Sequence, residues 1–304
     1  AFSQDRHEIV TVVCSQAAVS IENALLYGDL QQSLDKQTAL TNAYGRFMPP
    51  QFLKLLAKDS ILDLQRGDQI LRPITVMFAD IRNFTGMAEA IGPARTFTFI
   101  NRYLGHMEPA IHAHHGFVNQ YLGDGIMALF PRSADDAVLA ALTMLRAVRE
   151  LNKELAAEGD TPVEIGIGLN GGPLMVGAIG GLDRMGRGVV GDATNVASRV
   201  EGMTKRYRTP LLIGESTFLA LDKAEVTTRL VDRVMPKGRE SAMFVYEVLE
   251  AADPISQAGK IQTLADYERG VAHWSEGRFH EAEVYFNAVV AALPGDTAAQ
   301  LFAA

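Results

Sequence analysis

The chain has 304 residues, 48% hydrophobic and 21% charged, enough for one substantial catalytic domain with smaller accessory pieces. A net charge of −8 and a pI near 5.4 disfavour nucleic acid as a partner, so any polyphosphate site must gather its positive field locally. The single cysteine, Cys14, excludes an intrachain disulfide, and with neither a continuous apolar run of membrane-span length nor a signal peptide the expected location is cytoplasmic, without a membrane span.

Ile9, Val12, Val13, Ala17, Ile21 and Leu25 form a broad apolar stripe that predicts a helix from 4 to 27. It reads either as a core helix of the following domain or, because Ser15 to Tyr27 resembles the last helix of a GAF sensor, as the end of an upstream sensor (1–28) in a longer chain. Leu30, Leu34 and Leu40 continue the pattern into a signalling helix and linker, 29–70. From 71 to 250, strand and helix signals alternate. Strand 74–79, helix 92–115, strands 116–122 and 126–130, helix 134–157, strands 163–170 and 174–179, helix 192–207, strand 210–213, helix 215–221 and strands 227–234 and 243–249 follow in order. Gly-rich 171–181 reads as a turn between two of these strands. The pattern predicts an α+β protein with a mostly antiparallel sheet. The segment 255–304 turns helical, and Gly270, Gly277, Ala282, Phe286 and Pro294 fall at the spacings of one tetratricopeptide-type hairpin, which it resembles. A single such repeat cannot bury its own face and must dock elsewhere.

Two aspartates end apolar strand-like runs: Asp80 before the turn Ile81 to Thr85, and Asp124 within Gly123-Asp124-Gly125. Each reads alone as a turn or cap residue. As a pair at neighbouring strand ends they suit divalent cations beside a phosphate, with Thr85 adding a hydroxyl and the turn adding backbone N–H groups. Asn195 and Arg199, four residues apart, share one helix face, where Arg199 would clamp an anion.

Phe78-x-Asp80-Ile81-x-x-Phe84-Thr85, then Gly123-Asp124, then Gly191-x-x-x-Asn195-x-Ala197-x-Arg199 resemble, in this order, the class III adenylate/guanylate (nucleotidyl) cyclases, with similarity from about 48 to 250. The resemblance implies a ferredoxin-like βαββαβ core and a head-to-tail homodimer with active sites at its interface. It implies that Asp80, Asp124 and the Ile81 carbonyl bind two Mg²⁺ or Mn²⁺ ions. It also implies that Asn195 and Arg199 of the partner orient the ribose and stabilise the transition state. Phe84 and Thr85 belong to the substrate-binding turn, and Arg184 and Lys237 match the cations that hold the triphosphate. Two positions depart from the pattern. Adenylate cyclases read adenine with a Lys where this chain has Gln120, and with Asp or Thr where it has Gly188; guanylate cyclases carry Glu and Cys there. A Gln amide can donate to adenine N1 or accept from guanine N1–H, and glycine offers no side chain. The expected substrate is therefore a purine nucleoside triphosphate, ATP favoured over GTP. The alternatives are guanylate or dual specificity, or a silent nucleotide-binding dimerisation module.

Overall fold

The computed structural model describes residues 4–45, 47–181, 184–222, 226–234 and 242–303. The chain divides into two compact units, Ala1–Lys54 and Leu55–Ala304.

The first unit is dominated by one uninterrupted helix, α1 (Gln4–Gly45), followed by the short α2 (Pro50–Leu55). Its apolar side chains lie in the open: Ile9, Val13, Ile21 and Leu25 are each 60% or more exposed. The expected absence of a membrane span is not supported, because Glu8–Gly45 is long and apolar enough to cross a membrane by length and composition. Ser, Thr and Gln interrupt the apolar run between Ile9 and Ile21 but bring no charge, which is why it does not stand out as a continuous apolar stretch.

In the second unit the central strand is β1 (Gln69–Ile81), followed by α3 (Phe84–Ile91), α4 (Pro93–Ala113), β2 (Phe117–Leu122), β3 (Gly125–Phe130), α5 (Ala134–Glu158) and β4 (Ile165–Gly180). This is the expected βαββαβ unit, with spatial order β2-β3-β1-β4. The chain continues through β5 (Met185–Val190), α6 (Asp192–Tyr207), β6 (Leu211–Gly214), α7 (Glu215–Ala220), β7 (Thr228–Val234) and β8 (Met243–Val248). These extend the order to β6-β8-β7 beyond β4, with β5 pairing on β4. The sheet is mixed rather than mostly antiparallel, since β6 runs parallel to β4. α6 provides the long return that a parallel neighbour requires.

Two further expectations change. The Gly-rich stretch 171–181 is no turn: β4 runs unbroken through it, with Gly171 opposite Thr75 and Gly172 opposite Ile74. Small residues weaken the periodicity that marks a strand without preventing backbone pairing. The turn after Asp80 is also shorter than expected, because α3 already begins at Phe84. β1 starts five residues before the expected 74 and β5 was not expected, whereas α6 spans 192–207 as expected and Ser133 caps α5 through the Asp136 N–H.

Helices α4 and α5 cover one sheet face. Tyr103, Met107, Ile111, Val138 and Leu151 pack on Met77, Ala79, Ile81, Ile165, Ile167 and Leu169. α6 lies on the other face at very short range. A Cβ at Gly168 would sit 2.1 Å from the Glu201 nitrogen, and one at Gly166 would sit 2.2 Å from Thr204 Oγ1. The two glycines, one residue apart on β4, are thus the seat of α6.

The helical tail docks on its own domain. α8 (Pro254–Gln262), α9 (Leu264–Ser275), α10 (Phe279–Ala292) and α11 (Thr297–Ala303) place Tyr267, Val271, Phe286, Val289 and Ala299 against Val196, Val200 and Tyr207 of α6 and Val231 and Val245 of the sheet. A buried ion network fastens them. Arg229 Nη2 donates to Glu247 Oε2 at 2.7 Å and Arg229 Nη1 to Asp296, while Lys260 pairs with Glu247. The Tyr267 ring lies 4.0 Å from the guanidinium carbon. Such a charge is tolerated inside because both of its Nη groups have carboxylate partners, Nε alone lacking one among the described residues.

Candidate active site

Strand alternation fixes which way Asp80 faces. Met77, Ala79 and Ile81 enter the core beneath α4 and α5, so Phe78 and Asp80 emerge on the α6 face, where Asp80 is opposite Gly166. Asp124 reaches the same place from the β2–β3 turn, where Gly123 supplies the left-handed conformation (φ +69°) the reversal needs. The Ile81 N–H donates to Asp124 Oδ2 at 3.2 Å, locking the hairpin tip to the end of β1. Burial, and then the neighbouring Asp80, push the Asp124 carboxyl up to about 6. With a second carboxylate beside it, the half-buried Asp124 resists ionisation until a cation joins the pair.

Part of that charge is met from α6. Lys205 Nζ donates to Asp80 Oδ2 at 3.1 Å. One turn earlier, burial raises the Glu201 carboxyl, and its Oε1 is buried without a hydrogen-bond partner among the described residues. Beneath the pair, Tyr103 is fully buried, its hydroxyl has no partner among the described residues, and burial, then Asp124 and Asp80, raise its pKa. Sequence reasoning missed Glu201, Lys205 and Tyr103. The available signal was Gly166 and Gly168 at alternate positions of an apolar strand, which mark a helix laid close enough for its inward face to reach Asp80.

Asp80, Asp124 and the adjacent Ile81 carbonyl form an oxygen donor set with surplus negative charge, which suits a hard divalent cation. Among the described residues no group of three or more His, Cys, Asp or Glu is arranged to hold a metal, so further ligands would be backbone or substrate oxygens. Next to this pair, α3 starts at Phe84 behind Asn83, which is left-handed (φ 54°, ψ 30°) and provides no side-chain cap. The first-turn N–H groups, beside an exposed Thr85, are left free for an anion.

Gln120 and Gly188, the positions expected to meet the base, lie on β2 and β5. β2 carries a bulge between Val118 and Gln120: Val118 pairs with Ala128 but Gln120 pairs with Met127. The extra residue turns Gln120 away from the core that receives Val118 and onto the face of Phe78, the Met127 partner on β1. Gly188 lies opposite Gly177 on β4, and a Cβ on it would approach Ile179 Cγ2 to 2.7 Å. Ile179 thus fills the room a side chain at 188 would take. Arg187 links the two positions, its Nη1 donating to the Val118 carbonyl at 3.2 Å; burial lowers its pKa, and nearby Tyr121 is pushed up to about 12 by burial and then Glu108. Arg187 and Ile179 were not singled out from sequence, which carries no sign that β5 folds back on β4.

Asn195 and Arg199 are not joined to this cluster. They are exposed on α6, whose Val196, Ala197 and Val200 point inward, and among the described residues no hydrogen bond or ion pair links them to Asp80 or Asp124. Arg184 is exposed at the entry to β5, and Lys237 lies outside the described residues.

A strand-end carboxylate pair on a βαββαβ sheet, with a polar helix close above it, defines a nucleotide-handling domain, and the chain belongs to the family of the adenylate and guanylate cyclase catalytic domain, which matches residues 68–249. It is 38% identical over 226 residues to an adenylate cyclase of Anabaena cylindrica, covering 72% of this chain and 45% of the relative. It is 32% identical over 273 residues to the terminal-differentiation-specific adenylate cyclase of Dictyostelium discoideum, covering 88% of this chain and 13% of the relative. The chain thus spans less than half the length of either protein. Among solved structures, the guanylyl cyclase Cya2 superposes with a TM-score of 0.54 at 33% identity, over 61% of this chain and 95% of that one. The adenylyl cyclase CyaB from P. aeruginosa superposes with a TM-score of 0.54 at 28% identity, over 59% and 95%.

Proposed function

We propose that this chain carries the catalytic region of an adenylate cyclase, converting ATP to 3′,5′-cyclic AMP and pyrophosphate. The observation that carries the reading is the Asp80–Asp124 pair, with Asp124 fixed to the end of β1 by the Ile81 N–H and the pair's negative charge met only in part by Lys205. Two Mg²⁺ or Mn²⁺ ions held by Asp80, Asp124 and the Ile81 carbonyl would supply Lewis-acid activation of the ribose 3′-OH and neutralisation of phosphate charge. The first turn of α3, with Phe84 and Thr85, receives phosphate oxygens, and Arg184 and Lys237 hold the pyrophosphate end. The outward placement of Asn195 and Arg199 supports a head-to-tail homodimer in which each chain lends these two residues to its partner's carboxylates. Asn195 orients the ribose, and Arg199 meets the charge that builds on the α-phosphate. ATP is favoured because the Anabaena and Dictyostelium relatives are adenylate cyclases.

A second reading, guanylate or dual specificity, is favoured by one observation: the base end offers only the two-way amide of Gln120 and no side chain at Gly188. In either case α1 serves as a signalling helix fed by an upstream GAF-type sensor, the tail is a tetratricopeptide-like hairpin, and the catalytic region works in the cytoplasm. Side-by-side assays with ATP and GTP in Mn²⁺ test the substrate. Mixing folded Asp124→Ala and Arg199→Ala chains tests the shared site. Recovery of activity in the mixture is expected, and none in a verified heterodimer would rule out a site built from two chains.

A further inference from the structure

A cavity of about 680 Å³ opens between α5, the start of β4, the end of α6 and the tail. Its wall carries five cations, Arg82, Arg149, Lys205, Arg208 and Lys260, against two carboxylates, Glu164 and Asp253. That excess is notable in a chain of net charge −8. Three of the cations are engaged: Arg82 donates to the Thr204 and Thr209 carbonyls, Lys205 to Asp80 and Lys260 to Glu247. Asp253 is engaged too, capping α8 through the Ile255 and Ser256 N–H groups. Glu164 is 83% exposed and stands 3.6 Å from Arg82 Nε.

Arg149 and Arg208 remain. Among the described residues neither makes an ion pair, and both are exposed. Arg208 sits left-handed at φ 48° and ψ 42° just after α6, a position glycine or asparagine fills with less strain. A bulky cation held there against its backbone preference, lining the same half-open cavity as a second unpaired arginine, calls for an anion. Guanidinium forks match phosphate oxygens in bidentate fashion. The volume is that of a small-molecule site rather than of a groove for a polymer.

We propose that this cavity binds a small phosphate-bearing anion, held by Arg149 and Arg208 with the tail as its outer wall. The site adjoins the proposed catalytic one through Lys205, which pairs with Asp80, but its test requires neither metal nor nucleotide turnover. Calorimetry of the full chain in EDTA with inorganic phosphate, and with pyrophosphate as a larger probe, should show saturable one-site binding. Arg149→Gln/Arg208→Gly should weaken it tenfold or more; glycine keeps the left-handed backbone. Glu164→Gln, which removes a carboxylate from the same wall, should tighten it several-fold, a gain that no folding defect can imitate. Arg184→Ala should leave it unchanged. The proposal is overturned by the absence of saturable binding, by unchanged affinity in the double variant, by loss of binding in Arg184→Ala, or by citrate binding as tightly as pyrophosphate.

Discussion

The two ends of the candidate active site are built on different principles. At the acidic end, Asp80 and Asp124 come from a central strand and a hairpin locked to it by a backbone hydrogen bond. That end is seated directly on the core under Ile81. At the base end, Gln120 is aimed by a bulge, Gly188 is a missing side chain beside Ile179, and one arginine ties them together. On the proposed function, the difference separates what must stay constant for phosphate chemistry from what can drift to change the base that is read.

The largest effect should come from the acidic end. Asp80→Asn or Asp124→Asn should lower kcat by about a thousandfold or more with either nucleotide, leaving the ATP/GTP ratio unchanged. A changed ratio would mean the two ends are not independent. Next comes pH. Because Asp124 is raised to about 6, protonation competes with a cation below that value, so Mn²⁺ affinity of the nucleotide-free protein should fall about tenfold per pH unit below about 6 and level off above it. A flat profile between pH 5 and 6 would remove the strongest argument for the pair as a cation site. At the base end, Gln120→Lys should favour ATP over GTP by about tenfold in kcat/KM, since a lysine can donate to adenine N1 but leaves guanine N1–H opposed. Smallest is Arg187→Leu, which unties the Val118 carbonyl and should narrow the ATP/GTP preference by roughly two- to fivefold while lowering kcat little. A loss of activity with both nucleotides would instead place Arg187 in the chemistry.

Much of the fold was legible because its signals are local. Ser133 before Asp135 and Asp136 announced α5, and the run 192–207 has a helical period strong enough to fix both ends of α6. The carboxylates were legible because each ends an apolar run at a turn. What escaped depends on contacts between distant segments. β4 looked like two strands because Gly171 and Gly172 blank out the alternation. Lys205 escaped because only the close approach of α6 over Gly166 and Gly168 brings it beside Asp80. The bulge at Gln120 leaves no mark in composition, since it is a register shift between strands. The apolar face of α1 was visible, but its continuity was masked by uncharged polar residues.

The buried ion network sets the smallest piece of this protein that can be handled in isolation. A fragment trimmed to the family's own limits, 68–249, would keep Arg229 and Glu247 but discard Lys260 and Asp296. It would leave a guanidinium short of its partner at a cost of about 3–5 kcal/mol. It would also bare Val196, Val200 and Val245, which the tail now covers. Such a fragment should be recovered as aggregate, and the same fragment extended to 303 as soluble protein. On that expectation, the unit that folds is longer than the unit that defines the family.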